Sequence, residues 1–333
     1  MFKVNFMKTK LDFHPKFFSC IRNYSKSTFM SDLMAGTIVG IVALPLAIAF
    51  AIASGVSPEK GIVTAIIAGF IVSFLGGSKV QIGGPTGAFI VIVYGVIQQY
   101  GIGGLTVATI IAGVLLILLG AFKLGTVIKF IPYPVVVGFT SGIAVTIFTT
   151  QMADVFGLSF GGETVPGDFI GKWMLYFRHL DTINWWDAGV SILSVLIIML
   201  VPKFSRRIPG SLVAIILVTA GVYALKTCLG IEGIDTIGDR FTIASQLPKA
   251  EMPALDWEAV KNLFPIAVTI AALGAIESLL SATVADGMIS DHHNSNTELI
   301  ALGVANMVAP IFGGIPATGA IARTMTNINN GGK

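Results

Sequence analysis

The run Gly-Gly, proline, Thr-Gly-Ala occurs twice in this chain. It stands at Gly83-Gly84-Pro85-Thr86-Gly87-Ala88 and again at Gly313-Gly314-Ile315-Pro316-Ala317-Thr318-Gly319-Ala320, each time amid apolar sequence. The copies lie 230 residues apart, so the repeating unit is large rather than a short module. Proline suits the first position of a helix, where its missing N–H costs nothing, so helices are expected to open at Pro85 and near Pro316 or Ala317. A helix starting inside a membrane aims unpaired N–H groups and a positive dipole end, about +0.5 charge, at whatever precedes it. Each opening is therefore a candidate anion site. Paired glycine- and proline-interrupted hydrophobic segments at matching places in two halves point to the binding site of a secondary transporter. A plainer reading, in which Gly-Gly-Pro merely ends one span and opens the next, explains one copy better than two.

The surrounding composition supports a membrane setting. Of 333 residues, 54% are hydrophobic and 12% charged, against about 25% charged in soluble domains. The fold class expected is an all-α polytopic membrane protein. A net charge of +3 is too weak and dispersed for a nucleic-acid partner. Cys20 and Cys228 fall on opposite sides of the topology below, so neither a disulfide nor a metal pair is expected. Residues 1–30 lack the apolar core of a signal peptide; Phe13, Phe17 and Phe18 among lysines suggest a segment lying on the membrane surface.

Ten spans are expected. Span 1 covers Leu33 to Ser54 with a kink at Pro45, and span 2 covers Gly61 to Leu75. Span 3, Pro85 to Gln98, is about 21 Å long, too short for a core of about 30 Å. Lys79 to Gly84 must cover the remaining depth in extended form, shielded inside protein. Spans 4 and 5 follow at Leu105 to Phe122 and Pro134 to Gln151. An interfacial loop carrying Trp173, Trp185 and Trp186 leads to spans 6 and 7, Ala188 to Val201 and Ser211 to Cys228. After a polar loop, Leu229 to Asn262, come spans 8, 9 and 10 at Leu263 to Ala285, Glu298 to Ile311 and from about Ala317. With the N-terminus inside, the inner side collects twelve lysines and arginines against seven outside, a bias that places the N-terminus in the cytoplasm. Seven spans before the polar loop invert the second unit, giving a seven-plus-seven inverted repeat. Half-helices 3 and 10 then enter from opposite sides, each behind a short extended piece, and meet near the midplane. The chain divides into a tail (1–32), a first repeat (33–228), an extracytoplasmic loop (229–262) and an incomplete second repeat (263–333).

Of 18 acids, only Glu277 lies deep within a span, about 20 Å into the core. An ionised carboxylate there costs a few kcal/mol or more, so it should face the interior and find a partner or a proton. Ser281, four residues on, shares its face. Arg323 is the only basic residue expected inside a span, and could reach back over the first turn of span 10. A structural Glu277–Arg323 ion pair without substrate contact is the alternative. Asp291-His292-His293 looks metal-like but reads better as a solvated turn, and Asn327, Asn329 and Asn330 as a polar exit from span 10. No phosphate loop, nucleophile elbow or zinc motif is present, so neither enzyme, cofactor nor metal is expected.

Asp32-Leu33 through Ala43-Leu44-Pro45-Leu46-Ala47-Ile48-Ala49-Phe50-Ala51, then Ile276-Glu277-Ser278-Leu279-Leu280-Ser281-Ala282, then Gly313 to Arg323, resemble the sulfate permease (SulP) family. Lys203 to Ser211 is similar to that family's link between spans 6 and 7. The resemblance covers essentially the whole chain in order. It implies fourteen spans, with a core domain (spans 1–4 and 8–11), a gate domain (spans 5–7 and 12–14), and usually a cytoplasmic STAS domain. Spans 11–14 and that domain are missing here, so a truncated chain unable to transport alone is expected. Carried over by position, the family's anion site implies Leu46 and Phe50; Pro85, Thr86 and Gly87; and Thr318, Gly319, Ala320 and Arg323. Glu277 with Ser281 would couple an ion; in this family aspartate at that place accompanies sodium, and glutamate more often a proton.

The expected function is secondary active transport of a small inorganic anion of the sulfate or bicarbonate class, by proton symport and alternating access. The expected setting is a plasma or inner membrane, multi-pass, with the lipid bilayer as partner and a homodimer when full length. A nucleobase permease of the same fold, a passive anion channel and a non-transporting structural protein are the alternatives. Arg323 and the Ile-Glu-Ser-Leu-Leu-Ser-Ala motif argue against the first.

Overall fold

A computed structural model describes residues 13–333 except 23, 127–132, 205–208, 232, 242–247 and 254–256. Residues 1–12 of the N-terminal tail and part of the Lys203 to Ser211 link therefore lie outside the described residues. A short helix α1 (Lys16–Ile21) precedes α2 (Lys26–Ala53), whose N-cap Ser25 accepts the Thr28 amide and whose interior contains Pro45. Helix α3 (Pro58–Leu75) opens with proline and Glu59 in its first turn, both suited to a helix N-terminus. An extended segment then leads into β1 (Gly83–Gly84), a 3-10 turn (Gly87–Phe89) and α4 (Ile90–Ala121). Spans 3 and 4 are thus joined into one element, broken only at Gly101. Its φ of 66° is available to glycine at no steric cost, so the chain changes direction there without a loop.

Next come α5 (Tyr133–Val155), α6 (Phe169–Arg178), α7 (Trp185–Phe204), α8 (Gly210–Leu229) and the single-turn α9 (Ile237–Arg240). Helix α10 (Trp257–Ile289) begins six residues before the expected start of span 8. Helix α11 (Ser295–Val308) is capped by Asn294, whose side chain accepts the Asn296 and Thr297 amides. After a 3-10 turn (Ala309–Phe312), β2 (Thr318–Gly319) and α12 (Ile321–Asn329) complete the order. Among the described residues, six helices are long and apolar enough to cross a membrane by length and composition.

The core lies where α3, α4, α10 and α11 meet, around Phe89, Leu116, Ile270, Leu299 and Leu302. Helices in lipid associate by close packing rather than by hydrophobic exclusion, which favours small residues at the contact. Gly113 of α4 and Gly303 of α11 show it. A Cβ on Gly113 would stand 2.7 Å from the Gly303 carbonyl, and one on Gly303 2.6 Å from the Gly113 carbonyl. Helices α7 and α8 pack on each other and present exposed Ile192, Leu196, Ile216 and Leu217, surfaces suited to lipid.

Two expectations need correction. The helix expected near Pro316 or Ala317 begins at Ile321, and Thr318 and Gly319 are strand. The backbone of Ala317 is already taken: its N–H donates to Asn306 Oδ1 at 2.9 Å and its carbonyl accepts from Asn306 Nδ2 at 2.8 Å. Likewise Pro85 does not open span 3; Thr86 is extended, at φ −132° and ψ 160°, and the regular helix starts at Ile90. The expected approach forms in part: residues 77–80 are bent and Lys79 is exposed, while the chain from Gln81 to Gly84 runs into β1 with Gln81, Gly83 and Gly84 buried.

Candidate functional site

Backbone at membrane depth must satisfy its polar groups within protein, and the two motif copies do so against each other. Strands β1 and β2 pair antiparallel, Gly83 opposite Gly319 and Gly84 opposite Thr318. The Ala320 amide donates to the Ile82 carbonyl at 2.9 Å, and the Ile82 amide to Thr324 Oγ1 at 3.1 Å. Small residues are required here. A Cβ on Gly319 would fall 1.9 Å from Gln81 Nε2, and one on Gly84 2.4 Å from an Arg323 guanidinium nitrogen.

Behind the pair stands Glu277. Its Oε2 accepts from Thr86 Oγ1 at 2.8 Å and from Thr318 Oγ1 at 3.1 Å, one hydroxyl from each copy. Neither helix opening is capped by a side chain, Thr86 giving its hydroxyl to the carboxylate before the 3-10 turn and α4, and Ala320 standing at the N-cap of α12. The first amides of each opening stay directed at the space before it. Arg323, 3% exposed, does not form the direct ion pair with Glu277; its guanidinium crosses to the other copy and donates to the Pro85 carbonyl. Ser281 shares the Glu277 face, as expected, yet its hydroxyl goes to Thr324 Oγ1 at 3.4 Å. Phe50 of α2 lies beside Gly87, its ring edge 3.4 Å from where a Cβ would stand, together with Ile147 of α5. Leu46 sits one turn before Phe50 on the same face of α2 and is partly buried. A cavity of about 310 Å³ opens against this corner, between Gly87, Ala88 and Val91 on one side and Gly138, Gly142 and Thr146 on the other. A larger cavity of about 880 Å³ lies between α2 and α7–α8 and contains none of the expected site residues.

Several supporting residues escaped the sequence reading. Asn306 and Thr64 hold the approach to β2, the latter accepting the Ile315 amide at 2.7 Å. Gln81 donates to Ser278 Oγ at 2.8 Å, tying the extended segment to α10. Asn327, expected as a polar exit, instead donates to the Val80 carbonyl at 3.0 Å. Glu298 is fully buried and accepts the Gly77 and Ser78 amides at 2.8 and 3.2 Å, fixing the turn after α3. Asn306 and Thr64 are lone polar residues within apolar sequence, the one signal that marked them; Gln81, Asn327 and Glu298 stand in or beside polar stretches and carried no such mark. The Asp291 to His293 stretch is a structured turn rather than an open one. Asp291 pairs with Lys79 at 2.8 Å, while His293 Nδ1 faces Asp286 at 2.7 Å and its Nε2 faces Ser295 Oγ at 3.0 Å. Among the described residues no cluster of three potential metal ligands occurs.

Residues 29–333 match the model described as the sulfate permease family. YvdB of Bacillus subtilis, provisionally named a sulfate transporter, is 46% identical over 317 residues, covering 95% of this chain and 59% of its own length. The bicarbonate transporter BicA of Picosynechococcus is 32% identical over 312 residues, covering 91% of this chain and 54% of its own length. The chain thus spans little more than half the length of these relatives. Among solved structures, the transmembrane domain of a cyanobacterial BicA superposes with a TM-score of 0.79 at 29% identity, over 93% of this chain and 79% of that one. A murine Solute Carrier 26 anion transporter in the inward-facing state reaches 0.82 at 19% identity, over 96% and 56%, a likeness of fold alone.

Proposed function

The chain belongs to the sulfate permease family, and from that premise we propose that it is the site-bearing part of a secondary transporter of small inorganic anions, of the sulfate or bicarbonate class. The observation that carries this reading is the convergence of both motif copies on one carboxylate, through Thr86 and Thr318. The anion would sit before the openings of α4 and α12, against Pro85, Thr86, Gly87, Thr318, Gly319 and Ala320, with Leu46 and Phe50 closing the α2 side. Two helix openings supply roughly one positive charge and Arg323 another, enough for reversible binding without a metal.

Glu277 would carry the coupling proton, with Ser281 and Thr324 behind it. An arriving anion cancels part of the positive field around the carboxylate and so favours its protonation. Coupling between two ligands is reciprocal, so anion and proton then bind cooperatively, which symport requires. Alternating access would move the β1–β2 pair and its helices as a body against α5–α8, the cavity beside Gly87 being one access route. The orientation with the N-terminus in the cytoplasm and a dimer of the whole protein belong to the same proposal. Uptake of labelled sulfate, bicarbonate, chloride, nitrate, fumarate and uracil into proteoliposomes holding the whole, full-length protein tests it: accumulation of sulfate or bicarbonate is expected, and accumulation of uracil alone would overturn it.

A further inference from the structure

Lys172, in α6, is 6% exposed, although this helix lies in the loop between α5 and α7. An ammonium carries three N–H donors. Among the described residues its Nζ has no hydrogen-bond or ion-pair partner; what faces it is the Tyr94 ring, 5.6 Å to the centroid. Asp168, one turn earlier, is committed elsewhere, since its carboxylate caps α6 through the Gly171 amide at 2.6 Å. A cation over an aromatic face gains about 0.5–2 kcal/mol, whereas taking an ammonium out of water costs several kcal/mol. Burial accordingly holds the Lys172 ammonium below the ordinary lysine range. Among the described residues this cation thus has the Tyr94 ring and the through-space charge of Asp168, but no direct hydrogen bond or ion pair.

The place of this cation is the end of a seam leading from the site. Gly87 and Tyr94 are seven residues apart on one helical run, two turns or about 10 Å along nearly the same face. Gly87 faces Phe50 of α2. Tyr94 faces Gly55, five residues further along the same strand of chain, with ring atoms 3.1 and 3.3 Å from where a Cβ would stand. Its hydroxyl donates to the Val165 carbonyl, fastening the loop that carries Lys172 over the seam. The α2–α4 seam therefore runs from the corner before Thr86 to the Tyr94 ring, and the Lys172 ammonium stands at its far end.

We propose that Lys172 is a second anion station, which takes a small inorganic anion from the side opposite the N-terminus and hands it along the α2–α4 seam toward Gly87. Its ligand class is a sulfate, bicarbonate or halide ion, bound by the ammonium in exchange for its contact with Tyr94. Tyr94 is the positioning residue, holding the ammonium at the mouth of the seam and closing it when the station is empty. This rests on the anion-transport reading above.

Two measurements test it. In membrane vesicles of defined orientation, Lys172→Gln is expected to raise KM about tenfold for anion presented on the α6 side, the loss of one charge-assisted contact. KM from the opposite side and kcat should stay within about twofold, and Lys172→Arg should restore most of the loss. Equal shifts from both sides, or none, would overturn the proposal. Independently of transport and of any variant's folding, acylation of Lys172 by a membrane-impermeant amine reagent is followed by mass spectrometry in the unaltered protein. Sulfate or bicarbonate should slow it relative to gluconate at equal ionic strength. Absence of protection overturns the station. Protection in a protein that moves no anion supports the station and sinks the transport reading instead.

Discussion

The bonds to Glu277 are unequal, and that inequality is measurable. Thr86 Oγ1 donates to Glu277 Oε2 at 2.8 Å with no competing acceptor recorded. Thr318 Oγ1 lies 3.1 Å from the same oxygen and 2.7 Å from the Gly319 carbonyl. A hydroxyl has one hydrogen to give, so Thr318 serves the carboxylate only part of the time. A bond to a charged group contributes about 1.5–3 kcal/mol, and one to a neutral group about 1. Threonine to valine keeps the shape and removes only the hydroxyl. Thr86→Val should therefore cost about 2–3 kcal/mol of stability and Thr318→Val about 1, read as unfolding free energy in detergent titrations of the purified protein. The double variant leaves the carboxylate with neither hydroxyl and should cost about 1 kcal/mol more than the sum, since neighbours in one network are not additive. In the Glu277→Gln background the Thr86→Val cost should fall to about 1 kcal/mol and the Thr318→Val cost to about 0.5 kcal/mol, the range of bonds to a neutral group. A Thr318→Val cost equal to or above that of Thr86→Val, or costs undiminished in the Gln background, would refute the reasoning.

Asn306→Leu orphans both the amide and the carbonyl of Ala317. Each buried unpaired group costs about 1–3 kcal/mol, so a loss of roughly 2–5 kcal/mol is expected, with raised hydrogen exchange at Ala317 and Ala320. At the α1 end, Lys79 holds the Asp291 carboxyl below the usual range. A depressed folded value means stability that is complete above the ordinary carboxylate pKa and lost as pH falls through the folded one. The pair is partly exposed, so it contributes no more than about 0.5 kcal/mol. Exchange of the Lys16 amide, which donates to the Gly76 carbonyl, should quicken slightly on acidification in the unaltered protein and show no such step in Asp291→Asn.

The spans were legible because lipid leaves helices few alternatives, and Glu277 and Arg323 because a charge in apolar sequence has few bland explanations. The two motif copies were visible as words, and their meeting followed from the inverted count of spans. That they meet as strands was not legible. Two residues a side give no period to read, and the pairing partner lies more than 230 residues away. The late start of α12 had a nearer cause: Asn306 of the preceding helix, eleven residues away, captures the Ala317 backbone. Arg323 was found but not its target, because reach along its own helix says nothing of a carbonyl contributed by the first repeat. Glu298 was classed as a span-end acid on sequence position, while the fold buries it under two amides of a turn remote in sequence.

The central claim is that Glu277 joins the movement of a proton to that of the anion held by both motif copies. Glu277→Gln keeps the size and the capacity to accept from Thr86 and Thr318 while fixing the uncharged form. In proteoliposomes containing the transporter, the variant should retain anion counterflow, yet lose accumulation of labelled sulfate or bicarbonate driven by an inward proton gradient. Accumulation by the variant in response to that gradient, or uptake by the unaltered protein that follows sodium and ignores pH, would contradict the account.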